Sequence, residues 1–168
     1  TRPPAASLAG TQDRLVEKTL FRDLGIPTPP FAPVDLRSAL DAAIERIGMP
    51  GILKTRRMGY DGKGQARIRT RADVDAAWAA LGGQALIYEG FVKFTREVSL
   101  IGVRGRRGEL AFYPLAENVH EHGILAHTRA PFLDAKLQRE AERHVSALLT
   151  KFRYVGVLAV EFFVERGR

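Results

Sequence analysis

Apolar residues recur at helical spacing in several stretches of the chain. TQDRLVEKTLFRDLG, from Thr11, carries Leu15, Thr19/Leu20 and Leu24 near the helical period, with Thr11 able to cap, Asp13 in the first turn and Gly25 at the stop. Leu36, Leu40, Ala43, Ile44 and Ile47 line one face of DLRSALDAAIERIG, which Gly48 closes, and predict a second helix. Between the two, IPTPPFAPV reads as an extended, proline-stiffened connector, because the residues before Pro27, Pro29 and Pro30 are pushed out of the α region. The clearest amphipathic helix is DAKLQREAERHVSALLTKF, with Leu137, Ala141, Val145, Leu148, Leu149 and Phe152 on one side.

Other stretches have strand patterns. GILKTR and the alternating QARIRT predict a hairpin with a long, basic, glycine-rich tip. Thr70 with Asp73 resembles a capping box opening the helix RADVDAAWAALG. ALIYEGF, FTREVSLIGV, ELAFYPL after the turn RGRRG, and HGILAHTRAP read as further strands. VGVLAVEFFV, apolar on both faces apart from Glu161, predicts a last strand covered on both sides. Helices interspersed with hairpins, rather than strict βαβ alternation, make the fold class α+β.

Composition narrows this modestly. The 168 residues allow one ordinary domain or two small subdomains, and a 45% hydrophobic content supports a real core. The absence of cysteine excludes disulfides and thiolate metal sites. No apolar run reaches membrane-spanning length and TRPPAASLAG lacks the apolar region of a secretory signal, so a soluble, cytoplasmic protein with no membrane partner is expected. A net charge of +7 favours anionic partners without choosing among nucleotides, phosphorylated metabolites and nucleic acid.

The loop RRMGYDGKGQ sharpens the choice. Backbone N–H groups in a glycine-rich turn can converge on phosphate, since no Cβ blocks the approach. A Walker loop would follow its last glycine with Lys and Ser/Thr, whereas Gln65 follows Gly64; a dinucleotide fingerprint would lead into a helix, whereas a strand comes next. What remains is a hairpin flap able to fold over phosphates, with Lys63 or Arg57 as counter-charge, or a loop with no ligand.

Two charged residues interrupt apolar strands. An ammonium at Lys54 directed into the interior needs an anion, unless that face of the hairpin is solvated. Glu161 in VGVLAVEFFV needs a cation, a metal or a pocket mouth, an ordinary buried salt bridge being the plain alternative; magnesium takes carboxylate oxygens together with the phosphates it accompanies. Glu97 and Glu89 are weaker strand-borne carboxylates. His120, His122 and His127 cluster without the pattern of a zinc site, and His120 suits a hydrogen-bonding pocket. His144, on the amphipathic helix, is expected to face solvent.

Taken together, QDRLVEKTLFRDLGIPTPP, KTRRMGYDGKGQ, YEGFVKFTREVSLIGVRG, FYPLAENVHEHGIL and YVGVLAVEFFV resemble the ATP-grasp domain of 5-(carboxyamino)imidazole ribonucleotide synthases, from about Thr11 onward. The resemblance implies two α+β subdomains, over 1–89 and 90–168, that hold ATP between them under the glycine-rich flap. It implies that Arg14 and Lys54 contact the nucleotide phosphates, Lys54 being catalytic, and that Gly59, Tyr60, Asp61, Gly62, Lys63, Gly64 and Gln65 form the flap. In YEGFVKFTRE, Glu89, Gly90, Phe91 and Val92 would bind ATP, Glu89 and Val92 reading adenine. Glu97 matches the ribose-binding carboxylate, His120 a nucleotide-contacting histidine, and Glu161 the first magnesium ligand.

The implied cofactors are ATP and Mg2+, and the implied substrates are bicarbonate and aminoimidazole ribonucleotide, used by a ligase of purine biosynthesis that is a homodimer when complete. The family's preceding domain and a later strand ending in Asn-Glu have no counterpart here, so the chain is expected to be a portion of a longer enzyme, inactive alone. A different ATP-grasp carboxylate-amine ligase is the alternative. A basic nucleic-acid module tracking a backbone with Arg56, Arg57, Lys63, Arg67 and Arg69 is another, but those residues lack interleaved aromatic groups.

Overall fold

A computed structural model describes residues 5–59 and 63–165. In chain order the elements are α1 (Ala5–Thr11), α2 (Arg14–Asp23), β1 (Phe31–Val34), α3 (Arg37–Ile47), β2 (Gly51–Thr55), β3 (Gln65–Ile68) and α4 (Asp73–Leu81). There follow β4 (Leu86–Gly90), β5 (Arg96–Arg104), β6 (Leu110–Phe112), β7 (Ala116–Glu121), β8 (Ile124–Arg129), α5 (Ala135–Lys151) and β9 (Gly156–Val164). They form two units, one over Gly10–Val92 and one from Lys93 onward, with which the residues before Gly10 are grouped. The expected division after Glu89 is displaced because β4 runs on through Gly90, and the Phe91 amide donates to Pro50 O at 3.0 Å.

In the unit Gly10–Val92 a four-stranded sheet has the order β1-β4-β2-β3, with every neighbouring pair antiparallel. Leu53, Ile68, Leu86 and Tyr88 form one core with Leu40, Ala43 and Ile44 of α3 and Val74 and Ala77 of α4. Each fully buried aliphatic side chain there contributes about 1.5–3 kcal/mol. The Tyr88 hydroxyl donates to Gly48 O at 2.8 Å, and its ring and phenol oxygen occupy the space a Cβ on Gly51 would need.

Several local expectations are corrected. Asp13, not Thr11, caps α2: its Oδ1 accepts from the amides of Leu15 (2.9 Å) and Val16 (3.4 Å), while Thr11 ends α1. The connector IPTPPFAPV contains the strand β1, which tolerates Pro33 because it lies at the sheet edge and pairs only with β4. The capping box is only half formed: Asp73 accepts from the Thr70 amide at 2.8 Å, but Ala72, not Thr70, is the N-cap of α4, and no side chain caps it.

In the second unit β5 is central to a five-stranded sheet. β9 pairs along its whole length on one side, and β7 and β6 share the other side, with β8 outside β7. α5, capped by Asp134, packs Leu137, Ala141, Val145 and Leu149 against Val98, Leu100 and Val164. Gly102 permits this approach, since a Cβ there would meet Val145 Cγ1 at 2.6 Å. His144 is buried rather than exposed, because it is one turn from both Ala141 and Leu148 on the same inward stripe. β9 is not covered on both faces: Val157, Ala159, Glu161 and Phe163 are exposed among the described residues, and only the alternate positions turn towards α5. No described helix is long and apolar enough to cross a membrane.

Candidate functional site

The sheet face opposite the α3–α4 core carries the charged residues Lys54 and Glu89. Lys54 pairs with Ile87 across the β2–β4 ladder and Glu89 with Ile52, which sets the two charged side chains diagonally on one face. Lys54 Nζ lies 3.0 Å from Glu89 Oε2. Lys18, from α2, brings its Nζ to 3.4 Å from the same oxygen. The Glu89 side chain is only 5% exposed, and its second oxygen, Oε1, is buried with no hydrogen-bond partner among the described residues. The expectation that Lys54 needs an anion is met within the chain, by Glu89. Sequence reasoning misses Lys18 because a lysine on a polar helix reads as solvated; its one signal is the i, i+4 spacing from Arg14. Nearby, burial pushes the Glu17 carboxyl above its usual value, and the positive charges of Lys18 and Arg14 pull the other way.

The base of the glycine loop is tied to the start of α2. Arg14 donates from Nη1 to Thr55 O at 3.0 Å and from Nη2 to Gly59 O at 3.2 Å. Asp13 accepts a bidentate pair from Arg56, Nε at 2.9 Å and Nη2 at 2.8 Å, and lies 3.4 Å from Arg57 Nε. Burial alone would raise the Asp13 carboxyl, but the Arg56 hydrogen bonds and the Leu15 and Val16 amides outweigh it and hold the group below its ordinary value. Gly64 adopts φ +68°, and a Cβ there would stand 2.7 Å from Thr55 Oγ1. Its glycine is therefore required by the hairpin itself, whatever the loop covers. Gln65 faces Lys54 in the β2–β3 ladder, and Lys63 is exposed. Tyr60, Asp61 and Gly62 lie outside the described residues.

At the end of β4, the Gly90 amide donates to Pro30 O at 2.9 Å and the Phe91 amide to Pro50 O at 3.0 Å. These anchor the segment that leads to Val92. The Arg67 guanidinium stacks over the Phe91 ring at 4.0 Å. A larger surface depression, about 410 Å³, is lined by Arg22 and the stretch from Gly25 to Phe31; it contains no carboxylate or histidine, and of the residues above only Pro30 lines it.

In the second unit Glu97 pairs with Asn118 on one side and Phe163 on the other, and Ser99 pairs with Glu161. His120, at a register shift in the β7–β8 ladder, brings Nδ1 to 2.6 Å from Glu97 Oε2. Glu97, His120, Glu161, Phe162 and Phe163 line a pocket of about 110 Å³. That is room for a few water molecules or a hydrated ion, not for a nucleoside. Phe94 stacks on Phe163 with ring centroids 4.4 Å apart. No group of three histidine or acidic side chains among the described residues could hold a metal ion unaided. Magnesium characteristically takes one or two carboxylates and completes its shell with phosphate oxygens and water, so the exposed Glu161 carboxylate fits as a partial donor set.

The predicted residues thus gather into two sets, one in each unit. Arg14, Lys54, Gly59, Gly64, Gln65 and Glu89 surround the base of the hairpin, and Glu97, His120 and Glu161 share the small pocket.

Residues 19–168 match the model of the ATP-grasp domain. The N5-carboxyaminoimidazole ribonucleotide synthase of Pseudomonas aeruginosa is 53% identical over 165 residues, which cover 98% of this chain and 46% of that protein. The crystal structure of N5-carboxyaminoimidazole ribonucleotide synthetase from Thermus thermophilus is 50% identical, with a TM-score of 0.92 over 99% of this chain and 45% of its own. The Staphylococcus aureus N5-carboxyaminoimidazole synthetase complexed with ADP is 35% identical, with a TM-score of 0.88 over 94% of this chain and 42% of its own. The chain therefore spans just under half the length of these relatives. Because the domain match runs through β1 to β9 and the solved relatives share the fold over nearly all of the chain, the protein belongs to the ATP-grasp family.

Proposed function

We propose that the chain is the ATP-binding portion of a ligase that carboxylates aminoimidazole ribonucleotide, using bicarbonate and ATP, in purine biosynthesis. The observation that carries this reading is the Lys54–Glu89 pair, two charged side chains 3.0 Å apart on a sheet face at the root of a glycine hairpin. An ammonium and a half-satisfied carboxylate complement a ligand that brings both a phosphate and an N–H donor. The relatives named for this synthase, at 53% and 50% identity, support the substrate assignment.

In this reading Lys54, Arg14 and the loop amides from Gly59 to Gln65 neutralise and position the phosphates. Glu89 and the backbone of Gly90, Phe91 and Val92 hold the base, Glu97 the ribose, and His120 contacts the nucleotide beside it. The γ-phosphoryl group passes to a bicarbonate oxygen, giving ADP and carboxyphosphate. The amino group of the ribonucleotide then forms its N–C bond with that carbon, or with carbon dioxide released from it, as the C–O bond to phosphate breaks; inorganic phosphate leaves and takes up the proton that the amine gives up. Residues of this chain act by orientation and charge, without a covalent enzyme intermediate. Mg2+ held in part by Glu161 would offset charge on the transferring group. The complete protein would be a cytoplasmic homodimer, the present portion being inactive alone.

The nucleic-acid reading is disfavoured, since Arg56 is committed to Asp13 and Arg67 to the Phe91 ring. The experiment is ADP release by the complete enzyme. Release should require bicarbonate and rise on adding aminoimidazole ribonucleotide; a dependence on another amine acceptor, or tight binding of DNA or RNA with indifference to ATP, would overturn the proposal.

A further inference from the structure

Glu89 has two cations at one oxygen and, among the described residues, no partner at the other. Lys54 and Lys18 both approach Oε2, at 3.0 and 3.4 Å, while buried Oε1 accepts nothing from the described residues. Two ammonium groups share this one carboxylate, with the Glu17 carboxyl near enough to act on all three charges. A ligand anion can claim one of the ammonium groups, but a carboxylate only 5% exposed is costly to leave without any cation. Lys54 is on the strand that feeds the glycine loop. Lys18 instead leaves α2 one turn after Arg14, whose guanidinium is tied to Thr55 O and Gly59 O, so that turn of helix is pinned against the end of β2. The two lysines are therefore not equivalent: one can turn to the ligand while the other stays.

We infer that Lys18 is a positioning residue, which holds Glu89 ionised and fixed when Lys54 engages phosphate, so that Oε1 stays aimed to accept a hydrogen bond from the exocyclic amino group of the base. This rests on the ATP reading above and adds to it the source of base selectivity. A 6-oxo purine presents an acceptor where the 6-amino purine presents a donor, and would set two oxygens against each other at Oε1. Without Lys18, Glu89 would follow Lys54 or turn, and the distinction would fade.

The test is calorimetric binding of ATP and of inosine triphosphate to the complete enzyme, comparing wild type with Lys18→Met and Lys18→Arg. Wild type should prefer ATP by about tenfold or more, the worth of a hydrogen bond to a charged group. Lys18→Met should weaken ATP by a similar factor and inosine triphosphate far less, and Lys18→Arg should keep the preference. Should Lys18→Met not fold, Lys18→Gln makes the same comparison. Undiminished preference in the neutral variant, or equal weakening of both nucleotides as a purely structural lysine would give, overturns the role of Lys18. Wild-type enzyme that binds neither nucleotide would instead remove the ATP reading itself, and this inference with it.

Discussion

Lys54 and Glu89 meet at 3.0 Å on the one face of the β2–β4 ladder that α3 and α4 do not cover, although 35 residues separate them in the chain. Their strands alternate so that Leu53 and Tyr88, the intervening residues, pair across the other face and build the core. One ladder thus serves two ends: its apolar face provides stability, and its charged face holds groups that the fold alone does not require.

That separation of roles predicts an asymmetric double-mutant cycle. Lys54→Met should abolish measurable ATP binding in the complete enzyme, with a modest stability loss of about 1–2 kcal/mol because Lys18 still faces Glu89. Glu89→Leu should cost more, since it removes the carboxylate that two partly buried ammonium groups share. The double variant should regain much of the stability lost by Glu89→Leu and none of the binding. Chemical denaturation and calorimetry check this; ATP binding by the double variant would remove the pair from the site.

Asp13 predicts a loss of stability in acid. Its folded value is depressed, so its contribution is fully present above the unfolded value near 3.8 and disappears as pH falls through the lower folded value. Asp13→Asn keeps a capping oxygen but loses the charged Arg56 pair, so it should lower stability at neutral pH by about 1–2 kcal/mol and flatten the acid limb. Urea midpoints between pH 2 and 6, on the order of the carboxylate range, measure it; parallel curves for the two proteins would contradict the assignment.

His144 acts in a different window, and there burial dominates. Burial and, secondarily, the charge of Arg143 depress its folded value below 6.5, so below that pH the unfolded chain binds a proton that the folded one resists. Stability should therefore decline as pH falls below 6.5 towards the lower folded value. His144→Leu should remove that decline, and an unchanged slope from pH 7 to 5, roughly the histidine range, would show another group to be responsible.

What is legible in the sequence follows from where the structural information resides. The α5 stripe and the β2–β3 hairpin are local patterns, and both appear where periodicity and glycine content place them. AENVHE has no apolar alternation and is a strand because β5 and β8 flank it, a tertiary cause that no short window contains. The prolines of β1 conceal a strand that survives only at an edge. Lys54 and Glu89 stand out singly by residue type; their contact, and the part of Lys18 in it, depend on how a helix crosses a ladder. His144 defeats an assignment by residue type, because its angle to Ala141 and Leu148 on the helix, and not its polarity, decides its burial.

Glu161 offers the sharpest separation of function from fold. Its side chain is exposed on β9, opposite Ser99 and beside the pocket that Glu97 and His120 line, and no ion pair or hydrogen bond joins it to another described residue. Replacing it with glutamine keeps the shape and strand pairing, so the melting temperature should stay within about 2 °C, the effect of a surface change of less than 0.5 kcal/mol. If its carboxylate shares a magnesium ion with the nucleotide, ADP release by the complete enzyme should fall by about tenfold or more and recover in part as magnesium is raised. A charge-preserving Glu161→Asp variant should fall between the two. Wild-type turnover in Glu161→Gln at limiting magnesium would exclude it as a ligand, and a large drop in melting temperature would assign it to the fold instead.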